Sequence, residues 1–538
     1  MRDKLIAKLK APQGTAFISA FICGIAVHLF SMMNVMENLD TVFNTPRGFG
    51  AGLSSGRWAL EFLGHISDRY WGIYKMPSAN GFMFVLFVAL AAALVVTVLK
   101  LRRHMSAALC GALFVVFPCA ASTLLFYFTS QFYGFAILLA VLSAWLLVKP
   151  IRISRRGKEG QISAKQSHVL TFMLSGGAMA VSLGIYQAYF PLAASLLVLS
   201  LIGDCLRGED SFSVIMRRAL YYLANLAIGM LLYFIVLRIA LTVNDTSMSN
   251  YKGMSSIGHI STELLPFLFK YTRIAFLLLL HGNIYGLAPI PSFNTLYRLL
   301  GLLSAVGMVY IFIKKRRKPL VIALAAVLCC IFPYSVGLVR LMCPTDSLYD
   351  VTTIMVYGYV VVGFAPALIM EALPDVSGKL LSILNSVLRK GTILTLTALI
   401  ALYAYFDEVN YTAAYYTTAQ MENYTTALVT QVRMTEGFDT EKEWVFIGTP
   451  NDPLLNNAWD LFELYHFNLP YLQDAYTRKN WIGAYFAYDP PIATDNEVDA
   501  ILAREDIHGE LVDMPVFPDY GSIKVIENMV VIKMDEIT

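Results

Sequence analysis

Two carboxylates lie close together just after the first long apolar run of the chain. Glu37 and Asp40 are three residues apart in the polar stretch 36–71, which also contains three arginines. A carboxylate in this position can act as a general base and take a proton from a hydroxyl group. We predict Asp40, in the turn-like sequence Asn-Leu-Asp-Thr, as the first candidate and Glu37 as the second. The alternative is that both are solvated loop acids.

Arginines in or beside the apolar segments are candidates for binding an anion. Arginine binds phosphate through two parallel hydrogen bonds, and a cation within an apolar helix needs a partner. The phosphate of a membrane lipid could lie at the same depth in the bilayer as these arginines. The alternative is that these side chains extend to lipid headgroups. The candidate phosphate-binding residues are Arg57, Arg238, Arg273, Arg298 and Arg340.

Polar and aromatic residues in three other loop segments could contact a substrate. The sequence Ser54-Ser55-Gly56-Arg57-Trp58 indicates a serine cap before a surface helix. The turn at 184–191 contains aromatic and amide side chains, which could also form an interfacial aromatic belt. A histidine on the surface helix could simply be packed or hydrogen-bonded, and an aspartate in the loop 343–350 could orient an acceptor or pair with Arg340. The candidates are Trp58, His65, Tyr186, Gln187 and Asp346.

The sequence contains no recognisable cofactor or metal motif. Its seven cysteines show neither metal-ligand spacing nor a disulfide framework. We find no P-loop, zinc motif or dinucleotide fingerprint. We therefore predict no cofactor, no metal and no nucleic-acid partner.

Long apolar segments must position these residues. The chain has 538 residues, of which 57% are hydrophobic and only 15% charged. Segments of about 18 residues or more can cross a bilayer core, where the backbone must be helical. We predict a mainly α, polytopic membrane bundle of about eleven spans, at 15–36, 81–99, 105–128, 132–149, 168–185, 188–203, 219–241, 295–313, 319–341, 353–373 and 391–406.

Basic residues alternate between the connecting segments. The segments assigned to the inside contain 24 Lys and Arg residues, and the others contain 7. The positive-inside rule then places the N-terminus in the cytoplasm and the loops 37–80 and 242–294 outside. The apolar run Leu264–Leu280 contains two basic residues, Lys270 and Arg273, which are costly in lipid. We interpret it as interfacial or re-entrant helices within 242–294, the alternative being a missed crossing.

The region after the last predicted span has a different character. VFIGT (445–449) predicts a strand, and 458–467 and 496–505 predict helices. The stretch 522–534 predicts two alternating strands joined at Glu527 and Asn528. We therefore divide the chain into a membrane domain, 1–406, and a small extracytoplasmic α/β domain, 407–538.

Three features in this order resemble a known family. They are an Asp just past the first span, the sequence SGRW before a surface helix, and GIYQA at the turn between the fifth and sixth spans. Together they resemble the type II O-antigen glucosyltransferase family. That family is similar in plan to the GT-C class of polytopic glycosyltransferases that use polyprenyl-phosphate sugars. The resemblance covers about residues 10–370.

The resemblance implies an enzyme of the cytoplasmic (inner) membrane. Its reaction would be an inverting transfer of a hexosyl group, typically glucose, from a polyprenyl-phosphate donor to a cell-surface polysaccharide or glycolipid on the outer face. Its partners would be that donor, the glycan acceptor, membrane lipid, and a donor synthase and flippase.

The resemblance also implies roles for particular residues. Asp40 would be the general base, Arg57 would contact donor or acceptor, and Tyr186 and Gln187 would line the donor side. The class often has paired acids in this loop, whereas Glu37 and Asp40 are three apart here, so Glu37 remains an alternative base.

Three other functions fit the same composition: a polysaccharide or lipid-linked oligosaccharide flippase, a polymerase of repeat units, and a non-catalytic envelope scaffold. Transporters often have repeated halves and charged residues at the membrane midplane. No internal repeat is evident, and the charges cluster towards one side.

Overall fold

The structure is a computed structural model with two compact units. It describes residues 10–44, 47–70, 72, 75–149, 164–249, 272, 291–342, 351–375, 378–450, 472–486 and 488–537. The first unit comprises Met1–Met33 and Phe49–Glu408, and the second comprises Asn34–Gly48 and Val409–Thr538. About 76% of the described residues are helical, which confirms the prediction of a mainly α protein.

Helices make up the described part of the first unit. In chain order they are α1 Pro12–Met33, α3 Trp58–Tyr70, α4 Pro77–Val98, α5 His104–Val116, α6 Pro118–Leu125, α7 Ser130–Val148, α8 Ala164–Ile185, α9 Phe190–Arg207, α10 Phe212–Val243, α11 Pro291–Lys314, α12 Pro319–Val336, α13 Leu338–Met342, α14 Val360–Ala372 and the first part of α15 Lys379–Met434. The short helix α2, Leu39–Phe43, belongs to the second unit, and the boundary between the units falls inside α15, after Glu408.

Ten helices among the described residues are long and apolar enough to cross a membrane. They coincide with ten of the eleven predicted spans. The eleventh, predicted at 353–373, corresponds to a shorter apolar segment, Tyr357–Ala372. Two 3-10 turns, Thr353–Met355 and Tyr357–Tyr359, lie where this span was predicted to begin, so the α-helix starts only at Val360.

One predicted span is divided by a proline. The span predicted at 105–128 consists of α5 and α6, which meet at Phe117 in an extended conformation. Pro118 is the first residue of α6. A proline disfavours helical geometry in the residue before it and cannot donate to the preceding turn, which explains the break.

Small residues allow the first helices to pack closely. A Cβ atom on Gly111 of α5 would lie 2.3 Å from the backbone oxygen of Ala16 in α1. A Cβ atom on Gly134 of α7 would lie 2.9 Å from Cα of Phe84 in α4. Such close backbone approach is a usual basis of helix association in membranes, where lipid competes with apolar side chains for contact.

A three-stranded sheet forms the centre of the second unit. Its order is β1-β3-β2, with β1 Glu443–Ile447 parallel to β3 Met529–Lys533 and β2 Ile523–Ile526 antiparallel to β3. The structure confirms the strand predicted at 445–449 and the hairpin joined at Glu527, whose φ of +54° lies in the left-handed region. This turn places the two strands side by side.

Helices cover the sheet of the second unit. They are α16 Ala475–Phe486, α17 Asp495–Leu502 and α18 Glu505–Asp513, together with the end of α15. The helix predicted at 496–505 is therefore two helices, with Thr494 capping the first of them. The helix predicted at 458–467 lies outside the described residues, as does most of the predicted outer loop 242–294.

Candidate functional site

Two short motifs that are far apart in sequence contact each other in the first unit. The side-chain amide of Gln187 donates to the backbone oxygen of Ser55 (2.9 Å) and to the hydroxyl of Tyr233 (3.0 Å). The Tyr233 hydroxyl in turn donates to the backbone oxygen of Gly56 (3.0 Å). Gln187 is only 7% exposed. These hydrogen bonds connect the SGRW segment to the turn between α8 and α9, and also to α10.

The backbone of the SGRW segment differs from the predicted serine-capped helix start. Leu53–Ser55 is a 3-10 turn, and Gly56 follows it with a φ of +72°. This left-handed conformation suits glycine and interrupts any continuous helix. The helix α3 therefore begins at Trp58, and Arg57 precedes it, with its backbone N–H bonded to the oxygen of Gly52 (3.1 Å).

Two tyrosines hold the side chain of Arg57. The guanidinium lies over the Tyr186 ring, 4.9 Å from its centroid, and Nη1 donates to the Tyr133 hydroxyl (3.2 Å). The Tyr133 and Tyr186 rings are stacked, with centroids 4.6 Å apart and an interplanar angle of 13°. Both tyrosines are buried and Arg57 is half-buried. This arrangement orients a planar cation that has five N–H donors.

Sequence reasoning missed two residues of this cluster, Tyr133 and Tyr233. Both lie inside predicted apolar spans, where a tyrosine resembles any other interfacial aromatic residue. Only the fold shows that their hydroxyls contact Arg57 and Gly56.

Trp58 packs tightly on the turn at 184–191. A Cβ atom on Gly184 would lie 2.6 Å from Cε2 of Trp58. The position therefore requires glycine as long as the indole stays in place. The structure thus brings together four of the predicted site residues: Arg57, Trp58, Tyr186 and Gln187.

His65 lies further along α3 and pairs with a carboxylate. Its Nε2 is 2.8 Å from Oε1 of Glu61, whose Oε2 accepts from the backbone N–H of Leu53 (3.0 Å). The His65 side chain is 68% exposed. This geometry matches the interpretation of His65 as a hydrogen-bonded residue of the α3 surface.

The other candidate arginines have different surroundings. Arg238 and Arg298 are exposed on α10 and α11, beside the exposed apolar residues Ile239 and Leu299. Arg340, in α13, is only 4% exposed. The exposure of the first two fits the alternative that they extend to lipid headgroups.

Arg273 and Asp346, the remaining predicted site residues, lie outside the described residues. Within the described ranges, no group of three or more His, Cys, Asp or Glu side chains is arranged to hold a metal ion.

The two candidate bases belong to the second unit and have opposite environments. Asn38 caps α2 through its side chain, which accepts from the backbone N–H of Thr41 (2.9 Å). Asp40 lies in the first turn of this helix and is exposed. Glu37 is fully buried. Its carboxylate accepts a hydrogen bond from the Tyr485 hydroxyl (2.6 Å) and another from the Thr41 hydroxyl.

Comparison with protein families identifies the chain. A family model described as Glucosyl transferase GtrII matches residues 29–363, more than half of the sequence. The chain therefore belongs to this family and is a multi-pass membrane glycosyltransferase. The family implies glucosyl transfer in O-antigen modification, which agrees with the resemblance noted in the sequence. Comparisons with curated proteins and with solved structures give no match.

Proposed function

We propose that this GtrII-family glycosyltransferase moves a hexosyl group, glucose, from a polyprenyl-phosphate donor to a cell-surface polysaccharide or glycolipid. The transfer takes place on the outer face of the cytoplasmic membrane and inverts the configuration at the anomeric carbon. The observation that carries this proposal is the contact between the SGRW segment and the GIYQA turn. It produces an oriented arginine, Arg57, within the region that the family model covers.

In the proposed step, a base removes the proton of an acceptor hydroxyl, and the oxygen attacks the anomeric carbon of the donor. The bond between that carbon and the phosphate oxygen breaks, and the phosphate leaves with the bonding electrons. Cationic donors aimed at the leaving phosphate stabilise the charge that develops there. We assign this role to Arg57, because the Tyr186 ring and the Tyr133 hydroxyl hold its guanidinium in one orientation.

We assign the role of general base to Asp40. A base must come within hydrogen-bond reach of the proton that it removes. The exposed carboxylate of Asp40 is accessible to an acceptor, whereas Glu37 is buried and accepts hydrogen bonds from Tyr485 and Thr41. The proposed reaction thus uses one of the two loop acids as base.

The outer face is proposed from the distribution of basic residues. The 24 Lys and Arg residues in one set of segments, against 7 in the other, support a cytoplasmic N-terminus and an extracytoplasmic second unit. A donor made in the cytoplasm then has to be moved across the membrane, so a donor synthase and a flippase are the expected partners. Arg238, Arg273, Arg298 and Arg340 remain proposed contacts of the lipid phosphate, and Trp58, His65, Tyr186, Gln187 and Asp346 remain proposed substrate contacts.

Substitution of Asp40 tests this function. In vesicles supplied with polyprenyl-phosphate glucose and acceptor glycan, Asp40→Asn should lower kcat by at least about a hundredfold, because a general base contributes that much or more. Asp68→Asn, the same change in another acid of the stretch 36–71, is the matched control and should transfer glucose at the normal rate. Full transfer by Asp40→Asn would refute the assignment of the base. Lipid translocation without any transfer by the unsubstituted chain would favour a flippase.

A further inference from the structure

The second unit holds the segment that carries the proposed base. Residues 34–48 fold together with 409–538 as one compact unit, although about 360 residues of the first unit separate them along the chain. Val42 of α2 lies in the same hydrophobic cluster as Leu428 and Trp481. The ring of Phe43 contacts that of Tyr476, with centroids 4.4 Å apart. A helix of five residues is not stable by itself, so these contacts determine how α2 is oriented.

Glu37 makes hydrogen bonds that connect the segment 34–48 to the rest of the second unit. Its carboxylate accepts from the Tyr485 hydroxyl of α16 (2.6 Å) and from the Thr41 hydroxyl of α2. Its backbone N–H donates to the Thr418 hydroxyl of α15 (2.9 Å). A buried carboxylate is stable only when hydrogen bonds replace its hydration. Glu37 therefore ties α2 to two helices of the second unit.

We propose that Tyr485 is a positioning residue for glucosyl transfer and acts through Glu37 on Asp40. Asp40 is three residues after Glu37, in the first turn of the helix that this contact holds. A reacting group must be kept within a narrow range of distances, and small displacements are costly to the rate. The proposal gives the second unit a function, which is to present the base. It rests on the proposed function, in which Asp40 is that base.

A pair of tyrosines in the same segment allows a matched test. The Tyr485 hydroxyl reaches Glu37, whereas the Tyr488 hydroxyl donates to the backbone oxygen of Thr440 (3.0 Å). In vesicles containing the full-length chain, Tyr485→Phe should lower kcat about tenfold, because a small displacement of a reacting group is enough to slow the reaction on this scale. The KM for the donor should stay the same, because the phosphate contacts are unchanged. Tyr488→Phe should match the unsubstituted enzyme in kcat and KM.

Variants of Glu37 separate a positioning role from a catalytic one. The amide oxygen of Glu37→Gln can still accept from Tyr485, so this variant should lose only a few-fold in kcat. Glu37→Ala removes the acceptor and should lose at least as much as Tyr485→Phe. If the two residues act as one unit, the double variant Glu37→Ala/Tyr485→Phe should be no slower than Glu37→Ala alone.

The results of these experiments distinguish a positioning role of Glu37 and Tyr485 from a catalytic role of Glu37. A slow Tyr485→Phe, a normal Tyr488→Phe and an active Glu37→Gln support the proposal. Equal kcat values for the two tyrosine variants, or a Glu37→Gln variant as inactive as Asp40→Asn, would overturn it. Full transfer by Asp40→Asn would refute the assignment of Asp40 as the base, on which this proposal rests, and this outcome is recognised independently of the tyrosine variants.

Discussion

Arg57 differs from Arg238 and Arg298 in how its side chain is held. A ring lies against one face of its guanidinium, and a hydroxyl accepts from one of its nitrogens. Arg238 and Arg298 are exposed on helix surfaces. Holding the cation in place before the donor arrives reduces the entropy that binding must overcome. At the level of single residues, Arg57 is therefore a stronger candidate for the phosphate contact than Arg238 or Arg298.

Replacing Arg57 by lysine should separate its geometry from its charge. Lysine retains the positive charge but cannot form the planar fork or stack on Tyr186 in the same way. We expect Arg57→Lys to raise the KM for the polyprenyl-phosphate donor about tenfold, corresponding to one charge-assisted hydrogen bond. Arg69→Lys is the control. Arg69 also lies over a tyrosine ring, with its Cζ 5.9 Å from the centroid of Tyr70, but it is further along α3. An unchanged donor KM in Arg57→Lys would contradict the assignment.

The turn between α8 and α9 positions this arginine. Pro191 is in the first turn of α9, and the 3-10 turn Gln187–Tyr189 precedes it. Gln187 and Gly184 both contact the SGRW segment, one through hydrogen bonds and the other by leaving room for Trp58. The conformation of the turn therefore determines the position of the SGRW segment and, with it, the position of Arg57.

Two glycines of α8 allow this support to be tested. A Cβ atom at Gly184 would overlap the Trp58 ring at 2.6 Å, whereas a Cβ atom at Gly177 would meet nothing within 4 Å. We expect Gly184→Ala to displace Trp58 and to reduce kcat/KM for the donor about tenfold or more, as small misplacements do in other sites. Gly177→Ala in the same helix should have normal kinetics. Equal kinetics of the two variants in the vesicle assay would show that the contact does not matter.

On the scale of the whole molecule, the chain combines a helical membrane unit with a second unit built around a small sheet. Exposed ion pairs join elements of the second unit. Arg504 bonds Glu527 (2.9 and 3.0 Å) in the hairpin turn and Asp506 (2.6 Å) in α18. Hydrogen bonds from Arg504 lower the pKa of the Glu527 and Asp506 carboxyls. Because both carboxylates are exposed and Arg504 is only half-buried, solvent screens much of this interaction.

The pH dependence of stability should reveal these pairs. A carboxyl whose pKa is lower in the folded state stabilises the fold above its unfolded pKa, which is about 4. This stabilisation is lost as the pH falls through the folded pKa. In detergent, the unfolding midpoint of the second unit should therefore decrease as the pH falls from about 5 to about 3. Arg504→Met should make this decrease shallower, whereas Lys524→Met, which removes a longer contact to Glu510 (3.5 Å), should change it less. If the unfolding midpoint depended on pH equally in both variants, the stabilising role of the Arg504 ion pairs would be contradicted.

Local sequence patterns are sufficient to predict the class of the protein and most of the local structure of its described residues. Ten membrane-length helices among the described residues follow from apolar length, because a bilayer of given thickness needs helices of a certain length. The hairpin at 523–533 follows from alternating residues on either side of a turn. The order of short motifs led to the family that the family model then confirmed.

Which distant residues contact each other depends on the packing of the folded chain. It buried Glu37 and left Asp40 exposed, although both are acids of the same short loop. It also placed Tyr485 on Glu37, and Tyr133 and Tyr186 on Arg57. Sequence patterns report the environment of neighbouring positions, because helix and strand periods are local properties. Contacts between distant positions depend on how whole helices pack, and that packing is encoded in no single segment.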